Sequence, residues 1–239
     1  MSGTLILSSK CNSEFGSKIN PKLIRNINEQ INKKFKDKKR HELKMTVIAT
    51  PKLNLYKRAR SREYLWKKCK IITKNYGDRL NIPVTTIDCS KKENIPKFKH
   101  EIENSDIILV LGGDTFYLMY HLKKSKMESV LYKRVKNNNV IYIGCCSGSI
   151  ISGSTIFPTY IYRRYPHMAK KYTLNNIYQS KYFTSKKNQK ALNFIKNHDV
   201  LTYCHNDKIK NKTKKKIIKL NKSKKFVCLH NTESLIVDV

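Results

Sequence analysis

The 239-residue chain is short of acid: 17 Asp+Glu stand against 50 Lys+Arg, a formal net charge of +33 at pH 7. A field of that sign would attract nucleic acid, anionic lipid or acidic peptides. The lysines are spread along the chain among asparagines, so charge alone assigns no nucleic-acid function, and none is expected. The densest run, 208–225, also carries Ile209, Ile217, Ile218 and Leu220, the pattern of one solvated helix with an apolar stripe. Long hydrophobic runs are missing too. None approaches the ~18 apolar residues of a bilayer span, so no membrane partner is expected. The opening MSGTLILSSK has no basic stretch before its short apolar run, so a secretory leader is not expected and a cytoplasmic protein is the simplest reading. There is no C-x-x-C pair and no zinc-type Cys/His spacing. Neither a metal nor a cofactor is expected, and the seven cysteines are expected to be reduced and mostly buried. No repeat and no Pro/Gly/Ser linker divides the chain, which reads as one domain over 1–239.

What the chain does have is an alternation of short apolar runs with amphipathic stretches. Leu5–Leu7, Met45–Thr50, Val84–Asp88, Asp106–Leu111 and Val140–Gly144 read as strands. Leu23, Ile24, Ile27, Ile31 and Phe35 recur at helical spacing behind Pro21. Tyr64 to Tyr76 predicts a second helix, closed by Gly77. Further helices are predicted from Thr115 and over Met127–Val135. This order argues for an α/β fold with a mostly parallel sheet covered on both faces. Ligands bind such sheets at the carboxyl ends of the strands. Two Gly-rich turns fall there, Gly112-Gly113 and the segment Gly144 to Gly148. The loop from Ser152 to Asn175 is rich in Tyr and Arg and is a candidate cover for the site.

The second turn is Gly144-Cys145-Cys146-Ser147-Gly148, placed between a strand and a helix-compatible run. It is the G-x-nucleophile-x-G elbow, with Cys146 at its centre and Ser147 out of register by one. The glycines are needed because the turn is tight and neighbouring backbone comes close. A helix starting behind the turn would favour the thiolate. A core cysteine in an ordinary βα turn is the competing reading. The base is sought among seven histidines. His205 follows the strand-like Val200–Cys204, which puts it at a carboxyl strand end, with Asp207 two residues on. His167 is the second candidate; His41, His100, His121 and His198 are expected to be solvated. Backbone N–H groups of Gly112, Gly113 and Ser147 are the expected oxyanion donors.

These residues resemble the peptidase E (aspartyl dipeptidase) and cyanophycinase family. "DIILVLGGDTFYLMYHL" followed by "VIYIGCCSGSII" is similar to its G-G-G-N-T-F-like turn and Y-x-G-x-S-A-G elbow. "TLILSS", "MTVIATP" and "NIPVTTIDCS" look like its first three strands, and the C-terminal third resembles its HYD segment and final strands. The resemblance implies a class I glutamine-amidotransferase-like three-layer α/β/α sandwich. It implies peptide-bond hydrolysis through an acyl-enzyme, with Cys146 as nucleophile, His205 as base and Gly112-Gly113 as the oxyanion turn. Asp114 stands where the family has Asn, and with Thr115 it is a candidate substrate contact. Three positions depart from the pattern. Cysteine replaces the nucleophilic serine, Leu111 replaces the first glycine, and no Asp or Glu occurs between Glu128 and Asp199. A thiol tolerates a missing acid better than a hydroxyl, and Asp207 is the alternative orienting group.

The expected activity is therefore cleavage of a small peptide or amide. An acidic N-terminal residue would suit Arg163 or Arg164. Alternatives are an inactive or regulatory binding protein of the same fold, and a glutamine-amidotransferase-like Cys–His enzyme or thiol-dependent relative. A homodimer is left open.

Overall fold

The computed structural model describes residues 3–9, 19–55, 61–157, 159, 185–202, 225–229 and 233–239. His205, Asp207, Arg163, Arg164, His167, most of the Ser152–Asn175 loop and nearly all of the Lys-rich 208–225 run lie outside the described residues. In chain order the elements are β1 (Thr4–Ser8), α1 (Pro21–Lys34), β2 (Met45–Ile48), α2 (Arg62–Leu80), β3 (Val84–Ile87), α3 (Ile95–Glu103) and β4 (Ile107–Val110). They continue with α4 (Thr115–Lys124), α5 (Met127–Asn137), β5 (Ile141–Cys145), α6 (Ser147–Ile150), α7 (Lys186–Gln189), β6 (His198–Thr202), β7 (Lys225–Leu229) and β8 (Ser234–Asp238).

Six strands form one sheet in the order β3-β2-β4-β5-β1-β8. The first five run parallel, and β8 closes one edge antiparallel to β1. The inner strands β2, β4, β5 and β1 are buried along their whole length because both faces of the sheet are covered. Ile108 and Val110 of β4 enter a core with α3, α4 and α5. Ile107 and Leu109 enter the opposite core with α1 and α2. This is the three-layer α/β/α sandwich. Fully buried side chains such as Phe98, Phe116 and Tyr142 each contribute about 1.5–3 kcal/mol or more by leaving water. β6 and β7 pair in a separate two-stranded parallel sheet.

Two helices differ from expectation. Gly77 does not end α2, which runs to Leu80 and closes on Asn81 in the left-handed region at φ 55°. Gly77 lies where the helix presses on β3: a Cβ there would be 3.0 Å from both the Ile82 carbonyl oxygen and Val84 Cγ2. The helix α3 has only Phe98 and Ile102 buried, too few apolar positions in its nine residues to stand out from the sequence. Among the described residues no helix is long and apolar enough to cross a membrane.

Candidate active site

β5 ends at Cys145, and the chain turns at Cys146 with φ 51° and ψ −101°. A residue with a side chain adopts that conformation only when its surroundings impose it, at a cost of order 1–3 kcal/mol. Here the amide of Cys146 donates to the Ser8 carbonyl at 2.9 Å, and its carbonyl accepts from the Ile150 amide at 2.9 Å. Ser149 Oγ ties the turn to β1, lying 2.8 Å from the Ser8 carbonyl and 2.7 Å from that of Gly144. Both glycines of the motif answer to close approach. A Cβ on Gly148 would lie 2.5 Å from the Val110 carbonyl, and one on Gly144 would lie 2.7 Å from the Ser149 amide nitrogen.

The turn after β4 lies beside the elbow because β4 and β5 are neighbours. A Cβ on Gly112 would sit 3.1 Å from Cys146 Cβ. Gly113 has φ 154°, and a side chain there would strike the Pro51 carbonyl at 2.1 Å. Among the described residues no hydrogen bond occupies the amide of Gly112, Gly113 or Ser147. Ser147 is buried and donates its hydroxyl to the Leu111 carbonyl at 3.2 Å. Asp114 caps α4: Oδ1 accepts from the amides of Phe116 (2.9 Å) and Tyr117 (3.1 Å). Thr115 is buried in the first turn of that helix.

Thr202, the last residue of β6, donates its hydroxyl to Cys146 Sγ at 3.7 Å. Buried Asp199 holds β6 in place by accepting from Ser154 Oγ at 2.6 Å and the Thr155 amide at 3.1 Å. Neither contact has a local signal in the sequence. Both depend on β6 returning to the loop behind the elbow. Among the described residues β6 spans His198–Thr202, so it starts two residues before the expected Val200, and Tyr203 and Cys204 lie outside the described residues. The candidate base His205 is three residues beyond its end and outside the described residues, as are Asp207 and both arginines.

Three expectations change. The helix behind the elbow, α6, has four residues, so its dipole is that of a single turn. Cys145 is disulfide-bonded rather than reduced; Cys69, Cys89, Cys146 and Cys228 are thiols. Burial pushes the Cys69 and Cys89 thiols up to about 12, which makes them poor nucleophiles. His121 is half-buried rather than fully solvated. It packs against the rings of Tyr117 and Tyr120, with centroids 4.4 and 5.1 Å away. Burial lowers its pKa to about 4, with Lys124 and Arg62 adding to the shift and Asp88 opposing it. Nearby, buried Asp88 accepts from Arg62, from Ser90 Oγ at 2.9 Å and from Thr50 Oγ1 at 3.1 Å. Arg62 also donates to the Tyr117 hydroxyl at 3.1 Å. Among the described residues no three His, Cys, Asp or Glu side chains gather as a metal site.

A three-layer sandwich with a strained cysteine between two glycines, beside a Gly-Gly turn, defines an α/β protein with a candidate nucleophile elbow. The model of peptidase family S51 matches residues 69–238, and the chain belongs to that family. A stretch of 73 residues is 34% identical to peptidase E of Shewanella sp. (strain ANA-3); it spans 30% of each protein. A crystal structure of a peptidase from an acI-B1 Actinobacterium shares the fold at a TM-score of 0.69, with 18% identity over 99% of this chain and 84% of that one. A Listeria monocytogenes EGD-e protein provisionally described as a peptidase E matches at a TM-score of 0.62, with 18% identity over 100% and 95% of the two chains.

Proposed function

We propose that the chain is a peptidase that cleaves small peptides through a thioester on Cys146. The observation that carries this reading is the positive-φ conformation of Cys146 at the carboxyl end of β5, beside the Gly112-Gly113 turn. In the first half-reaction His205 takes the thiol proton, Sγ attacks the scissile carbonyl carbon, and the carbonyl oxygen gains charge. The amides of Gly113 and Ser147 are the donors for that oxyanion. The C–N bond then breaks, and His205 protonates the departing amine. In the second half-reaction water gives a proton to His205, attacks the thioester carbonyl and expels the thiolate. Asp207 orients the imidazole. Arg163 and Arg164 are the groups offered to an acidic N-terminal residue, and Thr202 stabilises the thiolate by its hydroxyl.

The test is dipeptidase turnover combined with iodoacetamide mapping at neutral pH. Native protein should carry label on Cys146 and release amino acids from an Asp-Xaa dipeptide. Cys146→Ala should lose both, with turnover down by about 10⁴-fold or more. Unchanged turnover in that variant would refute the reading. A native protein that labels at Cys146 but releases ammonia only from glutamine would support the amidotransferase-like alternative. No labelling and no turnover would support a binding role.

A further inference from the structure

The edge of the sheet farthest from β8 is β3, and nothing among the described residues pairs with its outer side. The Pro83 and Ile87 carbonyls accept from Met45 and Ala49, so these residues face β2. Strand alternation therefore turns the amide and carbonyl of Val84 and Thr86 outward. Beyond them lies a groove of about 730 Å³, walled by α2 on one face of the sheet and α3 on the other. Exposed edges of this kind are usually blunted or occupied. Here α2 lines the groove with Lys70 and Lys74, α3 with Lys97, and Asp78 is the single acid on its walls.

We propose that this groove binds an extended acidic peptide segment of a partner protein by strand addition at β3. Four outward backbone groups supply the ladder. Successive side chains of an added strand point to opposite faces, so neighbouring acids would reach the α2 lysines and Lys97 in turn. A second copy of the chain is a poor occupant, because each copy carries +33. The proposal does not depend on the Cys146 chemistry.

The probe is a fluorescein-labelled peptide repeating Val-Glu-Asp, titrated into the full chain at about 0.15 M salt to screen diffuse attraction. Saturable binding is expected. Reversal of the groove charges by Lys70→Glu, Lys74→Glu and Lys97→Glu should weaken it by at least about tenfold. Reversal at the remote, exposed Lys126, Lys133 and Lys187 should change it less than about twofold. The same peptide N-methylated at alternate amides keeps its charge but cannot form the ladder, and it should also bind at least about tenfold more weakly. No binding, equal loss in both charge-reversed proteins, or undiminished binding of the methylated peptide would overturn the proposal. So would a peptide-free chain that sediments as a dimer and becomes monomeric on Thr86→Pro, since the edge would then serve self-association.

Discussion

Cys146, the proposed nucleophile, sits in a strained backbone conformation. Its φ of 51° holds the side chain at the carboxyl end of the sheet, and a glycine there would relax the turn. Cys146→Gly should therefore raise the urea midpoint, by up to about 1 kcal/mol of stability, while abolishing turnover. Thr202→Val removes the hydroxyl donated to Sγ. If the proposed thiolate forms there, loss of this hydrogen bond should slow alkylation at pH 7 by roughly fivefold or more, read by timed iodoacetamide labelling. His121 gives a pH prediction of definite sign. Its folded pKa, about 4, lies below the ordinary 6.5, so the unfolded chain binds the extra proton between those values. Its contribution to stability is complete above about pH 6.5 and is lost as the pH falls towards 4. Part of the ring meets solvent, so the effect is held to about 1–2 kcal/mol. His121→Phe should flatten that acid limb in chemical denaturation.

At the scale of elements, the Gly112-Gly113 turn is anchored by the first turn of α4. Asp114 accepts two amides at the start of that helix, and its own amide donates to the Pro51 carbonyl at 2.7 Å. Asp114→Ala should cost about 1–2 kcal/mol in stability, measured by urea unfolding. It should also reduce turnover, because the turn beside Cys146 loses its anchor. Such elements were legible where one periodicity ran unbroken. α1 shows its apolar stripe and its proline start, and β4 belongs to a continuous apolar run that ends in two glycines. Gly77 misled because a glycine that ends a helix and one that lets a helix touch a strand look alike in a single chain. α3 escaped because it buries only two side chains.

The whole molecule carries its charge as a diffuse load. Self-repulsion at +33 opposes compaction, and salt screens it. Raising sodium chloride from about 0.02 to 0.3 M should raise the thermal midpoint by a few degrees, followed by fluorescence-monitored melting. A flat response would mean that the lysines lie too far apart to interact. The sequence by itself determined the layer order, the parallel core strands and the elbow at Cys146. Those features are written in local runs, in glycine spacing and in neighbouring residue types. Only the tertiary structure decided that β6 brings Thr202 to Cys146, that Cys145 is bonded, that His121 packs half-buried against two tyrosines, and that β3 has no partner on its outer side among the described residues. These facts depend on which strands become neighbours. That is set by packing between segments far apart in the chain, and no local periodicity records it.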